Sequence, residues 1–317
     1  MKKVLVLLLT LALLLCASGL AESDQEDVLI FYIGRDANSL FWQTCNAGAE
    51  QAAADLGFEL RSLNPQSESD INGQIDMIVN AMNAGADGIA LSPLDTQASI
   101  SICQEVMAAG IKLTMIDSVV ASEDYDVAYR TDNFAAGAAC AQTLAEAIGG
   151  EGKVFVLTAV TGAESCNLRD QGFISEMQEN WPNIEVINAD EQINCNNDVN
   201  QAMSIITDIL AANPDIKGVF GDNLYACKGA AIAVKESGMD VKVAGFDSDT
   251  DVIAMLEEGS ILCLAQQRPF MMGYEAASAA YKLAIGEEIE HGIVDTGFAV
   301  ATKENMNDPE IQELLLA

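Results

Sequence analysis

A short polar and aromatic segment follows the first apolar run of the chain. The run spans 28–33, and the segment after it carries Arg35, Asn38, Ser39, Phe41 and Trp42. If the run is a strand of a parallel sheet, this segment lies at the sheet edge where ligands bind. Polar groups there could hydrogen-bond a ligand, and aromatic rings could stack on its apolar faces. The alternative is that Phe41 and Trp42 form the first buried turn of a helix.

Two aspartates also follow apolar runs. Asp117 directly follows the run 113–116, and Asp247 follows Gly245-Phe246. The Asp117 carboxylate could accept hydrogen bonds from hydroxyl groups, or it could cap the next helix. Segment 247–258 places acids at the offsets of a calcium loop. The turn glycine of such a loop is absent, however, and the pattern favours a helix whose acidic start needs no metal.

The composition excludes several classes of protein. Fifteen Lys and Arg against 48 Asp and Glu give a net charge of −33, so nucleic acids and anionic lipid surfaces are poor partners. The single histidine, His291, cannot build a Ser-His-Asp, Cys-His or multi-histidine metal site. The chain also lacks G-x-S-x-G, H-E-x-x-H, G-x-G-x-x-G and Walker motifs. We therefore expect no catalytic residue of these types, no metal and no other cofactor.

Alternating strand and helix patterns must position these side chains. The strand 28–33, the helix 41–56 ended by Gly57, and the strand beginning at Phe58 make a βαβ unit, which builds parallel sheets. The first half continues with a helix over 70–84, a strand over 87–91, a helix over 100–109 and a strand over 113–116. The second half repeats the plan with a strand over 153–157, a polar loop over 158–168, a helix over 171–179 and a strand over 184–187.

Several motifs resemble the periplasmic sugar-binding proteins of the ribose-binding type. Ser39-Leu40-Phe41-Trp42 is similar to that family's Asn-Pro-Phe-Phe or Phe-Trp element, with Leu40 replacing the usual proline. The Arg169-x-x-Gly-Phe element, the Asp222-Asn223 pair after a strand, Gly-Phe-Asp ending at Asp247, and Gln267-x-Pro also match the family. The resemblance covers nearly the whole chain after residue 21.

The resemblance implies a set of sugar-binding residues. At the matching positions Asp117 and Asp247 accept from sugar hydroxyls, Arg169 donates, and Asn223 and Gln267 do both. Without the resemblance, Arg169 would instead be read as an exposed arginine paired with a neighbouring acid. The full expected set is Arg35, Ser39, Phe41, Trp42, Asp117, Arg169, Asn197, Asn223, Asp247 and Gln267.

Three of these positions, and Ser118 next to Asp117, depart from the family pattern. Ser39 stands where asparagine is usual, Asn197 stands near the place of an aromatic ring, Ser118 replaces an arginine, and Arg35 occupies a position that is usually small or polar. We therefore expect a monosaccharide of pentose or hexose type, not specifically ribose.

The implied fold class is α/β, with two Rossmann-like lobes of parallel sheets joined by a three-crossing hinge, as in type I periplasmic binding proteins. The expected N-terminal lobe is 22–130 plus 268–295, and the C-terminal lobe is 131–267 plus 296–317. The implied function is to bind a monosaccharide as the lobes close and to deliver it to the permease of an ABC importer. One alternative is a sensor that presents its closed form to a chemoreceptor or histidine kinase. A weaker one is a carbohydrate-acting enzyme that uses Asp117 and Asp247 as its carboxylate pair.

Residues 1–21 have the pattern of a signal peptide. Lys2 and Lys3 precede an apolar run over 4–15, and small residues near position 21 predict cleavage before Glu22. Export to the periplasm or cell envelope follows. A lipid anchor at Cys16 is an alternative, although Leu15 is not the small residue that normally precedes a lipid-modified cysteine.

Seven cysteines remain after residue 21, with no C-x-x-C pair. We expect most of them to be small buried apolar side chains. Cys166 and Cys195 both fall in predicted polar loops of the second lobe, and the resemblance implies that these loops meet at the cleft rim. We predict a disulfide between these two residues.

Overall fold

The computed structural model describes residues 28–315, which form two six-stranded sheets flanked by helices. The strands are β1 (Leu29–Ile33), β2 (Glu59–Leu63), β3 (Gly88–Leu91), β4 (Lys112–Ile116), β5 (Val127–Arg130), β6 (Gly152–Leu157), β7 (Ile184–Val186), β8 (Ile216–Gly221), β9 (Lys242–Phe246), β10 (Cys263–Gln266), β11 (Gly292–Asp295) and β12 (Ala299–Thr302). The helices are α1 (Leu40–Leu56), α2 (Ile71–Asn83), α3 (Ile100–Ala108), α4 (Asn133–Ala147), α5 (Glu164–Asn180), α6 (Val199–Ala212), α7 (Leu224–Ser237), α8 (Thr250–Glu258), α9 (Pro269–Ala284) and α10 (Pro309–Leu315). Within 28–315, none of these helices combines the length and apolarity that a membrane crossing requires.

The two sheets have equivalent strand orders, with the strands of each lobe arranged in the same sequence across the sheet. The first runs β11-β5-β4-β3-β1-β2 and is parallel throughout; the second runs β12-β10-β9-β8-β6-β7, with only β12 antiparallel to its neighbour. Each sheet with its helices is one lobe. The predicted α/β fold with two lobes of parallel strands is confirmed.

Helices cover both faces of each sheet, so the central strands are apolar on both sides. Along β1, Ile30 and Tyr32 face the cluster that includes α1 and α9, while Phe31 and Ile33 face the cluster that includes α2 and α3. In the second lobe the corresponding layers are α4 with α5, and α6 with α7. This burial is why the strands read as unbroken apolar runs in the sequence, and it leaves only the strand ends free for polar chemistry.

The chain passes between the lobes three times, through 131–132, 267–268 and 296–298. β5 ends just before the first passage, β10 ends before the second, and β11 and β12 flank the third. The chain thus leaves each sheet at the edge that faces the other lobe.

One predicted element is wrong. The sequence predicted a loop over 158–168 and a helix from 171, but α5 begins at Glu164. Its first turns bury Ser165, Cys166, Arg169 and Asp170. This buried face is polar, so the hydrophobic periodicity that identifies a helix is absent from these turns.

Candidate functional site

A cavity of about 70 Å³ lies between the lobes, at the carboxyl ends of both sheets. Nine of the ten residues predicted from the sequence line it: Arg35, Ser39, Phe41, Trp42, Asp117, Arg169, Asn223, Asp247 and Gln267. The tenth, Asn197, lies beside the cavity and hydrogen-bonds one of its lining residues, Asn223. The structure therefore brings the predicted set together, while the contacts of these residues with a ligand stay a prediction.

The two lobes touch each other around this cavity. Ser118 of the first lobe donates to Ser165 of the second at 3.2 Å between their hydroxyl oxygens. The Arg130 guanidinium pairs with Glu164 of the second lobe. The cleft is thus closed, and the groups that line it face each other.

The first turn of α1 supplies the aromatic wall. Trp42 is buried, and its ring meets Phe41 edge to face at 4.9 Å between centroids. The Tyr32 hydroxyl donates to the Trp42 carbonyl at 3.0 Å, which anchors this turn to β1. The two interpretations of the pair are therefore compatible: Trp42 belongs to a buried first helical turn, and both rings also line the cavity.

Asp117 and Asp247 occupy equivalent places in the two lobes. Each follows the fourth strand of its lobe in chain order (β4 or β9), and each has a left-handed backbone, with φ of 62° and 59°. The Asp117 N–H donates to the Tyr129 carbonyl, and the Asp247 N–H donates to the Ala265 carbonyl, both at 3.0 Å. A left-handed backbone is uncommon for residues other than glycine and concentrates at functional sites. Both residues line the cavity between the lobes.

Arg169 lies on α5, not in the loop predicted for this region, and only 3% of it is exposed. Its Nε donates to Asn133 Oδ1 at 2.8 Å, its Nη1 donates to the Asp222 carbonyl at 3.0 Å, and its guanidinium carbon lies 4.4 Å from the centre of the Phe246 ring. Its Nη2 is 3.7 Å from Asp117 Oδ1 in the other lobe. The alternative of an exposed surface arginine is wrong.

Glycines let α4 and α5 approach closely enough to hold Arg169 in this place. A Cβ at Gly137 would lie 2.1 Å from the Arg169 carbonyl oxygen, and one at Gly172 would lie 2.0 Å from that of Phe134. Both distances are far below van der Waals contact. The backbone position of Arg169 therefore depends on two neighbours that have no side chain.

The charges of the site act on one another. Burial lowers the pKa of the Arg169 guanidinium, but the carboxylates of Asp247 and Asp117 outweigh this and raise it, so the group stays a cation. Burial raises the pKa of Asp247, while Arg169 and a 2.8 Å hydrogen bond from Gln267 Nε2 act to lower it. Arginine at the centre thus stabilises acids contributed by both lobes.

Asn223 and Ser39 have partly structural roles. The Asn223 Oδ1 accepts from the N–H groups of Tyr225 and Ala226 and so caps α7, while its amide faces Asn197. Ser39 stands at the start of α1 and lines the cavity, but its side chain makes no capping hydrogen bond. The Ser39 hydroxyl is thus not committed to the helix.

A family model for the periplasmic binding protein domain matches residues 30–288. The chain belongs to this family. The ribose import binding protein of Bacillus subtilis (strain 168) is 25% identical over 303 residues, which cover 92% of this chain and 97% of that protein. The sequence-based resemblance to periplasmic sugar-binding proteins is therefore confirmed.

Solved structures of similar proteins cover nearly the same extent. A carbohydrate transporter solute binding protein from Agrobacterium radiobacter, in complex with D-arabinose, is 34% identical, with a TM-score of 0.86, and the match covers 92% of this chain and 99% of that one. An ABC transporter solute binding protein from Agrobacterium vitis with bound D-fucose is 31% identical, with a TM-score of 0.85, and covers 90% and 99%.

In this periplasmic binding protein domain, several buried polar atoms of the site lack a hydrogen-bond partner among residues 28–315. The acceptors are Asp117 Oδ1 and Gln267 Oε1, and the donors are Arg35 Nε and Gln266 Nε2. Such atoms are costly to leave unpaired in a protein interior. The cavity therefore suits a ligand that both donates and accepts hydrogen bonds.

Several lining residues were missed from the sequence, among them Glu68, Ser165, Gln266 and Leu314. Glu68 lies in the loop after β2, in a run of polar residues that looks like an ordinary solvent loop. Leu314 lies on α10, near the end of the chain and far in sequence from every other lining residue. Only the tertiary fold brings these residues to the cleft.

The predicted Cys166–Cys195 disulfide is wrong: all seven cysteines of the described chain are free and buried. Cys166 lies in the first turn of α5 and is buried there. The Cys195 sulfur faces the Ala159 carbonyl at 3.8 Å. Burial raises the pKa of both thiols, to about 11 for Cys195, which disfavours the thiolate that oxidation requires.

Proposed function

We propose that this protein binds a monosaccharide between its two lobes and delivers it to the permease of an ABC importer. The observation that carries the proposal is the cavity between the lobes, lined by three carboxylates, two guanidinium groups, amides and aromatic rings drawn from both lobes. The relatives named above for ribose import, and those solved with D-arabinose and D-fucose, support the same ligand class.

The chemistry of the lining matches a sugar. A sugar hydroxyl donates and accepts at once, and the unpaired acceptors Asp117 Oδ1 and Gln267 Oε1 lie in the same cavity as the unpaired donor Arg35 Nε. Phe41 and Trp42 can cover the C–H faces of the ring. Since one water needs about 10–15 Å³, a cavity of about 70 Å³ holds only a few such groups, which favours one sugar unit over an oligosaccharide.

Ligand binding would drive closure because the ligand gains contacts with the second lobe only when the cleft is shut. The protein then shifts toward the form that the ligand binds better. An importer would recognise this closed form and receive the sugar as the lobes reopen. The expected pentose or hexose identity remains part of the proposal.

A thermal-shift screen over neutral pentoses and hexoses tests this function. A ligand at a hundred times its dissociation constant stabilises the folded state by about 2.7 kcal/mol, which raises the melting temperature by roughly 4–5 °C in a protein of this size. Sugar alcohols and disaccharides serve as controls, for which we expect smaller shifts. A panel in which no monosaccharide raises the melting temperature would contradict the proposal.

The closed form could also be presented to a chemoreceptor or histidine kinase, which is the alternative use of the same binding step. Deletion of the gene for the partner permease would separate the two roles, since only an importer loses uptake. We propose no enzymatic turnover. Incubation with aryl glycosides should release no product, whereas steady release would establish the hydrolase alternative.

We also propose that the chain is exported with cleavage before Glu22. Residues 1–27 lie outside the described part of the structure, so the support is the signal-peptide pattern and the family description. Mass spectrometry of the protein from its native envelope should give an N-terminus at Glu22. A diacylated Cys16 would show the lipid-anchored alternative instead.

A further inference from the structure

The loop between β2 and α2 carries a glutamate that was not among the predicted ligand-binding residues. Glu68 lines the cavity from the first lobe, and its side chain is 16% exposed. Its Oε1 accepts from Trp42 Nε1 at 3.0 Å, and its Oε2 accepts from Arg35 Nη2 at 3.0 Å. Both of these partners are predicted ligand-binding residues. One carboxylate thus fixes the aromatic wall and the nearest cation together.

The same carboxylate also reaches the second lobe. Asn197 Nδ2 donates to Glu68 Oε2 at 2.9 Å across the cleft. Asn197 has a left-handed backbone with φ of 54°, and its Oδ1 accepts from Asn223 Nδ2 at 2.8 Å. Because Asn223 caps α7, a continuous chain of hydrogen bonds runs from Trp42 to the start of that helix.

Glu68 also determines how Arg35 is shared between carboxylates. Arg35 Nη1 is 3.8 Å from Asp117 Oδ2, whereas its Nη2 is 3.0 Å from Glu68. In the described chain these are the two acids within ion-pair distance of Arg35. Glu68 therefore holds the guanidinium away from direct hydrogen bonding with Asp117 Oδ2, which accepts from the Ser118 hydroxyl at 3.1 Å instead.

We propose that Glu68 is a positioning residue that couples closure of the lobes to the arrangement of the binding site. It orients Trp42 and Arg35, and it accepts the hydrogen bond by which Asn197 docks the second lobe. This role rests on the proposed sugar-binding function and adds the residue through which the two lobes act together.

Glu68→Gln is the sharpest variant because all three partners of the carboxylate are donors. A carboxylate accepts at both oxygens, whereas an amide places a donor NH₂ on one side. The NH₂ group must then face either the indole N–H of Trp42 or the N–H groups of Arg35 and Asn197, so a donor meets a donor. The volume is unchanged, so an effect reports the lost acceptor and charge. Glu105→Gln, on the exposed side of α3, is the matched control.

Calorimetric titration uses the monosaccharide that gives the largest shift in the thermal-shift panel. We expect Glu68→Gln and Asn197→Ala each to weaken affinity at least tenfold, while the control stays within twofold of the wild type. The double variant should bind only slightly less tightly than the single variant with the lower affinity, because both changes break the same hydrogen bond between Glu68 and Asn197. Affinity within twofold for Glu68→Gln, or losses that simply multiply, would overturn the proposal.

A measurement without ligand keeps this test separate from the proposed function. If no sugar binds the wild type, the proposed function fails, and small-angle X-ray scattering of the ligand-free proteins then decides the role of Glu68. We expect a larger radius of gyration for Glu68→Gln and Asn197→Ala than for the wild type and the control, with unchanged circular dichroism. Equal radii in all four proteins would contradict the coupling.

Discussion

The two lobes use different side chains to hydrogen-bond the backbone at the ends of their central strands. In the first lobe one neutral amide does so: Gln74 Nε2 donates to the carbonyls of Gly34 and Ser92, and its Oε1 accepts from the Leu94 N–H, all at 2.8 Å. These groups follow β1 and β3. Because an amide does not titrate, we expect this lobe to hold its cavity-facing loops equally well at every ordinary pH.

The second lobe uses two buried carboxylates in the corresponding place. Asp222 Oδ1 accepts from the Ala159 N–H, and Asp170 Oδ2 accepts from the Thr158 hydroxyl, both at 2.7 Å. Burial raises the pKa of Asp170 to about 6 and raises that of Asp222 well above its ordinary value. Equivalent architecture therefore does not imply equivalent response: the second lobe carries the pH-sensitive support, and Arg169 donates to the carbonyl of one of its members, Asp222.

Removal of Arg169 should have the largest effect on ligand affinity, because Arg169 is the buried cation beside the carboxylates of Asp117 and Asp247. Arg169→Ala leaves Asp117 and Asp247 without their shared buried partner, as well as the Asp222 carbonyl without its donor. Loss of one member of a buried charged set costs about 2–5 kcal/mol of binding free energy. Calorimetry measures the affinity, and we expect Asp247→Ala to fall in the same range.

Arg61→Ala is the control for this change, since Arg61 lies on the exposed surface and pairs with Glu59. It should leave affinity unchanged. Unaltered affinity in Arg169→Ala, with the fold intact by circular dichroism, would remove Arg169 from the binding site.

Gln74→Met tests the neutral fastening of the first lobe. The substitution keeps the length of the side chain but leaves two carbonyls and one N–H unpaired in a buried region, at about 1–3 kcal/mol for each group that water does not reach. We expect the free energy of unfolding to fall by about 3 kcal/mol, by the same amount at pH 4.5 and pH 7.5, in urea titrations. A loss that changes strongly with pH would contradict the proposed difference between the lobes.

Asp170→Asn tests the ionisable fastening of the second lobe. Its pKa in the folded protein is raised from 3.8 to about 6, so between these values the folded protein binds more protons than the unfolded chain. Its contribution therefore lowers stability as the pH rises through about 4 to 6, by at most about 3 kcal/mol. Asparagine keeps an acceptor for Thr158 but no longer titrates, so the variant should gain stability over the wild type as the pH rises to 7.

The control for this profile is Asp190→Asn, an exposed aspartate of the same lobe. Its stability should follow the wild type at each pH. Parallel profiles for Asp170→Asn and the wild type between pH 4 and pH 7 would show that Asp170 does not cause the loss of stability with rising pH.

The smallest expected signal is optical and compares the two tryptophans. Trp42 lines the cavity, whereas Trp181 ends α5 and donates from its indole N–H to Glu176. Addition of a bound sugar should change the fluorescence of a Trp181→Phe variant and leave that of a Trp42→Phe variant nearly constant. The opposite assignment would mean that the ligand acts on the second lobe at a distance.

The sequence predicted the fold well because the central strands are buried on both faces. Their unbroken apolar runs located Asp117 and Asp247 at the strand ends, and the family motifs supplied Arg169, Asn223 and Gln267. The start of α5 could not be predicted, since its buried face contains Ser165, Arg169 and Asp170 instead of apolar residues.

Contacts between side chains that are distant in the sequence could not be predicted either. Nothing in the residues around Glu68 indicates that it would meet Asn197, 129 positions away and in the other lobe. The disulfide prediction failed for a related reason, because two cysteines on the same side of a fold can still point into separate surroundings. Pattern reasoning finds strand ends, but partners across a cleft depend on how the two lobes are set against each other.

The three passages between the lobes are no longer than three residues each. At about 3.5 Å per residue, the longest can separate the strand ends that flank it by at most about 14 Å, so the lobes remain tethered near each other in every state. A group on one lobe therefore meets the other at a high effective concentration, fixed by the chain itself. A small sugar needs to supply only the last part of the association energy, because the translational cost of bringing the two halves together has already been met during folding.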